Sequence, residues 1–199
     1  MKHHSILTAE SVTEGHPDKL CDAIADTVLD ACLERDPTAR VDCEVMATVG
    51  KIMVAGEITA KELPDIPAIV CRTVREAGYG GSDYEVEGIT HDQSSDIAGT
   101  AGQDERKGAG GQGILYGYAC GETDELLPLP AVLAHRLTRL LTHARKTGTI
   151  RGLGPDGKAR VSVEYVFGLP SRITSVAVSC RHDADKDLEE LRQELLAFV

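Results

Sequence analysis

An α/β (α+β) fold built from two similar units is what the sequence predicts. Three observations predict it. Apolar residues recur with helical and strand periods in alternating stretches, the plan strand, helix, hairpin, helix occurs twice, and a polar glycine-rich stretch separates the two runs. A chain of 199 residues is long enough for one large domain or two small ones with a real core. The predicted division is an N-terminal unit over 1–98, a glycine-rich loop over 99–113 and a central unit over 114–199.

Residues 5–12 read as a short strand and turn. Pro17 then opens a helix to about Glu34, with Leu20, Ile24, Val28 and Cys32 repeating every four residues on one face. Proline suits the first helical turn, where its missing N–H is not needed. Stretches 41–48 and 52–59 alternate apolar and polar residues around Gly50-Lys51, the signature of a hairpin. A second helix over 65–77 presents Ile66, Ile69, Val70 and Val74 on one side and stops at Gly78. Residues 84–90 read as a strand.

From His91 to Gly113 the periodicity disappears, and a loop of this length inside a compact domain is functional or disordered. Beyond it the rhythm returns. The expected elements are a strand over 114–120, a helix over 130–146 with Leu133, Leu137, Leu140 and Leu141 inward, a hairpin over 159–166 and 173–180, and a helix over 186–198.

The net charge of −11 and the scarcity of aromatic residues argue against nucleic-acid binding. No stretch reads as a membrane span or a secretory leader. The six cysteines are scattered without CxxC or Cys/His zinc spacing, so they read as reduced, mostly buried thiols of a cytoplasmic protein. An acidic protein that binds a nucleotide needs local cations and a metal ion at the site.

Four places carry candidate chemistry. Glu14-Gly15-His16-Pro17-Asp18-Lys19 stands at a helix start, where free N–H groups and the helix dipole attract phosphate; the plainer reading is an ordinary acidic first turn. The run GAGGQG at 108–113 matches GxGxxG, but a polar loop precedes it and an apolar, strand-like run follows, which rules out a dinucleotide fold. What stays open there is a backbone cradle for a ligand or a flexible linker. Glu44 and Glu57 lie on the two strands of the first hairpin, where most carboxylates simply face water. Lys158 follows Gly154-Pro155-Asp156-Gly157 and, by itself, is a turn lysine.

Together, EGHPDK, AGEIT, HDQSSDI, GAGGQG running into GYACGET, LAHRL and GPDGKARV resemble the S-adenosylmethionine synthetase (methionine adenosyltransferase) family, in order and in rough spacing. The resemblance covers nearly the whole chain. It implies a reaction between ATP and L-methionine in which sulfur attacks C5′ and the triphosphate leaves and is then cleaved, with Mg2+ and K+ as cofactors. It also implies roles. His16 and Lys158 would serve the ribose and polyphosphate, Asp18 would bind magnesium and Glu44 potassium. Glu57 and Gln93 would surround methionine, Asp96 of the same QSSDI segment would bind substrate from the mobile loop over the site, and Gly111 would stand in a substrate-binding segment. The chain departs from the family pattern at Gly111, where an aspartate is usual, and at Ser95, where a proline is usual. The family folds as three similar units with sites shared between subunits, and the sequence here corresponds to the first two. The expectation is therefore one subunit of a homo- or hetero-oligomer whose second chain completes the site, or an inactive paralogue that regulates a full-length synthetase.

Overall fold

The computed structural model describes residues 4–80, 84–92 and 114–198. They form six strands and four helices, which confirms the mixed α/β class. In chain order these are β1 (His4–Val12), α1 (Pro17–Arg35), β2 (Arg40–Thr48), β3 (Lys51–Thr59), α2 (Ile66–Glu76), β4 (Glu85–His91), α3 (Leu129–Thr147), β5 (Leu153–Val166), β6 (Leu169–His182) and α4 (Leu188–Phe198). No helix among the described residues is long and apolar enough to cross a membrane.

The chain divides into two units, one made of 17–115 and the other of 1–16 with 116–199. In the 17–115 unit, β2, β3 and β4 form one sheet. The β2–β3 pair is an antiparallel hairpin turning at Val49-Gly50, and β4 runs parallel to β3 after the α2 crossover. Alternation sends Val41, Cys43, Val45 and Ala47 of β2 toward the core with Ile52, Val54 and Ile58 of β3. The four-residue repeat of α1 and the Ile66, Ile69, Val70 and Val74 face of α2 close that core. Asp65 caps α2 by accepting from the Ala68 N–H at 3.1 Å. Asp36, just past α1, is buried and accepts from the Thr38 hydroxyl at 2.6 Å and from the Thr38 and Lys61 N–H groups, tying the helix end to the segment after β3.

In the other unit the sheet order is β1-β5-β6, antiparallel throughout. The first strand therefore pairs with residues 146 to 162 positions away, from Val12 with Lys158 to His4 with Val166, and not with the hairpin that follows it, whereas the sequence division at 98 and 114 groups it with that hairpin. Ala134 and Leu137 of α3 pack on Ala159, Val161, Val163 and Tyr165 of β5, and Leu191 of α4 meets Ala144 and Ile150. Glu122 accepts two hydrogen bonds at one oxygen, from the Tyr165 hydroxyl at 2.5 Å and from the Leu129 N–H at 3.0 Å. The GYACGET segment is thereby fastened to the start of α3 and to the core strand.

Several expectations change, among them that Leu140, expected inward on α3, is exposed. Residues 114–120 form no strand; Leu115 and Tyr116 are 99% and 91% exposed, so this apolar run has neither a ladder partner nor a buried face among the described residues. Lys158 is not in a turn: β5 begins at Leu153, with a register irregularity between Leu153 and Gly157, and the reversal comes at Phe167-Gly168. Of the cysteines only Cys32 is fully buried; Cys71 is exposed and the other four are half-buried.

Candidate functional site

The described candidate residues fall into two groups, one in each unit. In the unit containing β1, the chain leaves that strand and makes a tight turn over 13–16, closed by the His16 N–H donating to the Thr13 carbonyl at 3.1 Å. The turn lies against the start of β5. The Thr13 N–H donates to the Gly157 carbonyl at 2.9 Å, and the buried Thr13 hydroxyl donates to the Pro155 carbonyl at 2.7 Å. Gly15 is required by contact: a Cβ there would stand 2.5 Å from Pro155 Cβ and 2.6 Å from its carbonyl oxygen. Thr13, just ahead of EGHPDK, is thus hydrogen-bonded to the GPDGK segment some 140 residues away, and Gly15 of the motif packs against Pro155.

Lys158 follows on β5, opposite Val12. Its ammonium group lies 2.5 Å from the carboxylate of Glu10 and holds that carboxyl below the usual carboxylate range. Sequence reasoning missed Glu10. The signal it lacked was the register of β1 against β5, which no local pattern encodes. It also missed the two cations on Glu14, whose carboxylate receives the Arg145 guanidinium and, at 2.7 Å, the Lys146 ammonium.

In the 17–115 unit, Asp18 is exposed in the first turn of α1, with the negative charge at the favourable end of the helix dipole. Glu44 and Glu57 both project from the sheet face opposite the helices. The register shows why: Asp42 faces Glu57, which faces His91, and one step on Glu44 faces Ala55, which faces Ile89. The same face carries Met46 and Met53, and Met46 and Ile89 are 61% and 43% exposed. It is an open sheet surface with an apolar middle and an acidic end. Gly56 precedes Glu57 with φ +147°, and a Cβ there would lie 2.0 Å from the Asp42 carbonyl oxygen. Close strand approach sets the spacing at this end of the hairpin.

Gln93, Asp96 and Gly111 lie outside the described residues. Among the described residues no three His, Cys, Asp or Glu side chains converge on a metal-binding point. Asp18 alone still suits magnesium, which is commonly held by one or two carboxylates together with substrate phosphates and water. Glu44 likewise offers one hard oxygen ligand, of the kind an alkali cation takes.

Two family models match the chain. The S-adenosylmethionine synthetase N-terminal domain matches residues 4–100, and the S-adenosylmethionine synthetase central domain matches 106–199. An S-adenosylmethionine synthase of Finegoldia magna is 44% identical over 95% of this chain and 53% of its own length. One of Nocardia farcinica is 46% identical over 94% and 51%. The chain spans about half the length of the curated relatives it matches.

Proposed function

The chain belongs to the S-adenosylmethionine synthetase family, of which it carries the N-terminal and central domains, and from that premise we propose that it takes part in making S-adenosylmethionine from ATP and L-methionine. It acts as one subunit of a multi-chain methionine adenosyltransferase, in the cytoplasm. The observation that carries this reading is the junction of the 13–16 turn with 155–157, which builds His16 and Lys158 into one frame.

The chemistry asks for sulfur held in line with C5′ and for positive charge or donors where the triphosphate departs. His16 donates to the departing oxygen. Lys158, charge-paired with Glu10 on the neighbouring strand, turns to the polyphosphate. Glu57 pairs with the ammonium group of methionine, with Gln93 and Asp96 beside it, and Gly111 lies in the substrate-binding segment. Asp18 holds magnesium and Glu44 potassium; bound magnesium would neutralise phosphate oxygens and ease departure of the triphosphate.

The exposed apolar surface on the sheet face at Met46 and Ile89 supports an assembly in which a second chain, identical or not, completes the site. Gly111 in place of the usual aspartate favours a second reading, an inactive paralogue that regulates a full-length synthetase. The deciding experiment measures S-adenosylmethionine and diphosphate formation by the purified chain, alone and with candidate synthetase chains. Turnover that requires both chains supports the subunit reading. Substantial turnover by the chain alone refutes the need for a partner, and unchanged partner kinetics on mixing refutes both readings.

A further inference from the structure

We propose that Glu14, Arg145 and Lys146 form a strut that fixes the turn carrying His16, which makes Glu14 and Arg145 positioning residues for the reaction; the proposal rests on the catalytic reading of His16 given above. Glu14 occupies the second place of the 13–16 turn. Both of its carboxylate oxygens are engaged, Oε1 by the Arg145 guanidinium and Oε2 by the Lys146 ammonium at 2.7 Å. The two cations sit in the last turn of α3, the end at which positive charge is favoured. Arg145 and Glu14 side chains are only 17% and 33% exposed, so this pair is partly shielded from water.

Backbone contacts already hold the turn at Thr13, through Gly157 and Pro155, and Gly15 packs against Pro155. Those contacts fix its base. Glu14 reaches from the turn to the last turn of α3, so the strut ties the turn to a second element.

Charge adds a second reason. An unpaired carboxylate two residues from His16 would repel an anionic polyphosphate. Set against two cations, the same carboxylate leaves the cluster net positive. The half-exposed Lys146 pair adds little to folding, since ion pairs open to water are largely screened. The effect of the strut on rate is larger, because a displacement of about 1 Å in a positioned group costs roughly a hundredfold.

The test labels the full chain with [13C-ε1]histidine and identifies the His16 signal by its loss in His16→Gln. In the double variant Arg145→Met/Lys146→Met the His16 signal is expected to shift or broaden. The signals of His4 and His91, in other elements, should stay in place, and the melting temperature should fall by no more than about 4 °C. Arg145→Lys, which keeps the charge without the planar fork, should restore the signal in part. In the assembled enzyme the triple variant that adds Glu14→Gln, and so leaves no unpaired carboxylate, should lower kcat about ten- to a hundredfold and change KM for ATP less than about threefold. A rate loss that merely follows the melting temperature would overturn the proposal. An unmoved His16 signal alongside an inactive His16→Gln overturns the strut while leaving the catalytic reading standing. Full activity of His16→Gln overturns both.

Discussion

His16 and Asp36 show how differently single side chains can matter. Charge on the oxygen leaving C5′ grows as the bond breaks, so a donor placed there counts most in the transition state. On the role proposed for His16, His16→Ala is expected to lower turnover of the assembled enzyme by roughly a hundred- to a thousandfold, with ATP binding much less affected. Were His16 only a helix-start residue, the loss would be about 1 kcal/mol of stability with turnover of the folded fraction intact. Steady-state kinetics and thermal unfolding on one preparation separate the two. Asp36 bears on stability. Hydrogen bonds from the Thr38 hydroxyl and backbone pull its carboxyl from 3.8 down to about 2. A folded value below the unfolded one stabilises the protein above about pH 4, and the contribution fades as pH falls toward 2. Melting temperatures of wild type and Asp36→Asn should thus differ most above pH 4 and converge toward pH 2. A constant gap would contradict this account. The roles of individual residues were the least legible part of the sequence. Nothing local distinguishes Glu44 or Glu57 from any outward carboxylate on a hairpin, and the family resemblance supplied their expected roles.

At the scale of elements, the helices were the most legible. The four-residue repeat from Leu20 to Cys32 and the Pro17 start give α1 nearly residue for residue. The β2–β3 hairpin was equally clear, because alternation and Gly50 are local signals. Two readings failed for one reason. The apolar run 114–120 has the composition of a strand, and Gly154-Pro155-Asp156-Gly157 has the composition of a turn, but ladder partners decide strands. The first run has none among the described residues, while the second is bracketed by the ladder pairs Leu153 with His182 and Gly157 with Cys180. Gly56 offers a test of the hairpin. With φ +147° and the Asp42 carbonyl 2.0 Å from where a Cβ would stand, Gly56→Ala has to push the strands apart, at a cost of more than about 1 kcal/mol. Urea unfolding should register a lower midpoint with an unchanged slope, whereas Gly50→Ala, at a turn with open space around it, should cost less.

For the molecule as a whole, the predicted behaviour is association. Met46 and Ile89 on one sheet, and Ile173 and Val176 on the other, leave about half of their surface to solvent or more. Light scattering of the purified chain, alone and with candidate synthetase chains, should show a species larger than one chain. Substitution of Met46 and Ile89 by lysine should shift the distribution toward monomer without lowering the melting temperature of the isolated chain. A stable monomer with full activity would refute the assembly.

The pairing of β1 with β5 bears on the order of events at the ribosome. Residues 17–115 are an insertion between the first strand of the other unit and the rest of it. During synthesis β1 emerges first, yet its partner, ending at Val166, arrives more than 140 residues later. The described strands of the inserted unit pair with one another, so that unit can condense while β1 waits for β5. Contacts of this sequence separation slow folding more than they weaken the native state. Nascent chains arrested after residue 115 should already protect α1 and β3 against protease while His4–Val12 stays cleavable. Chains released past β6 should protect both.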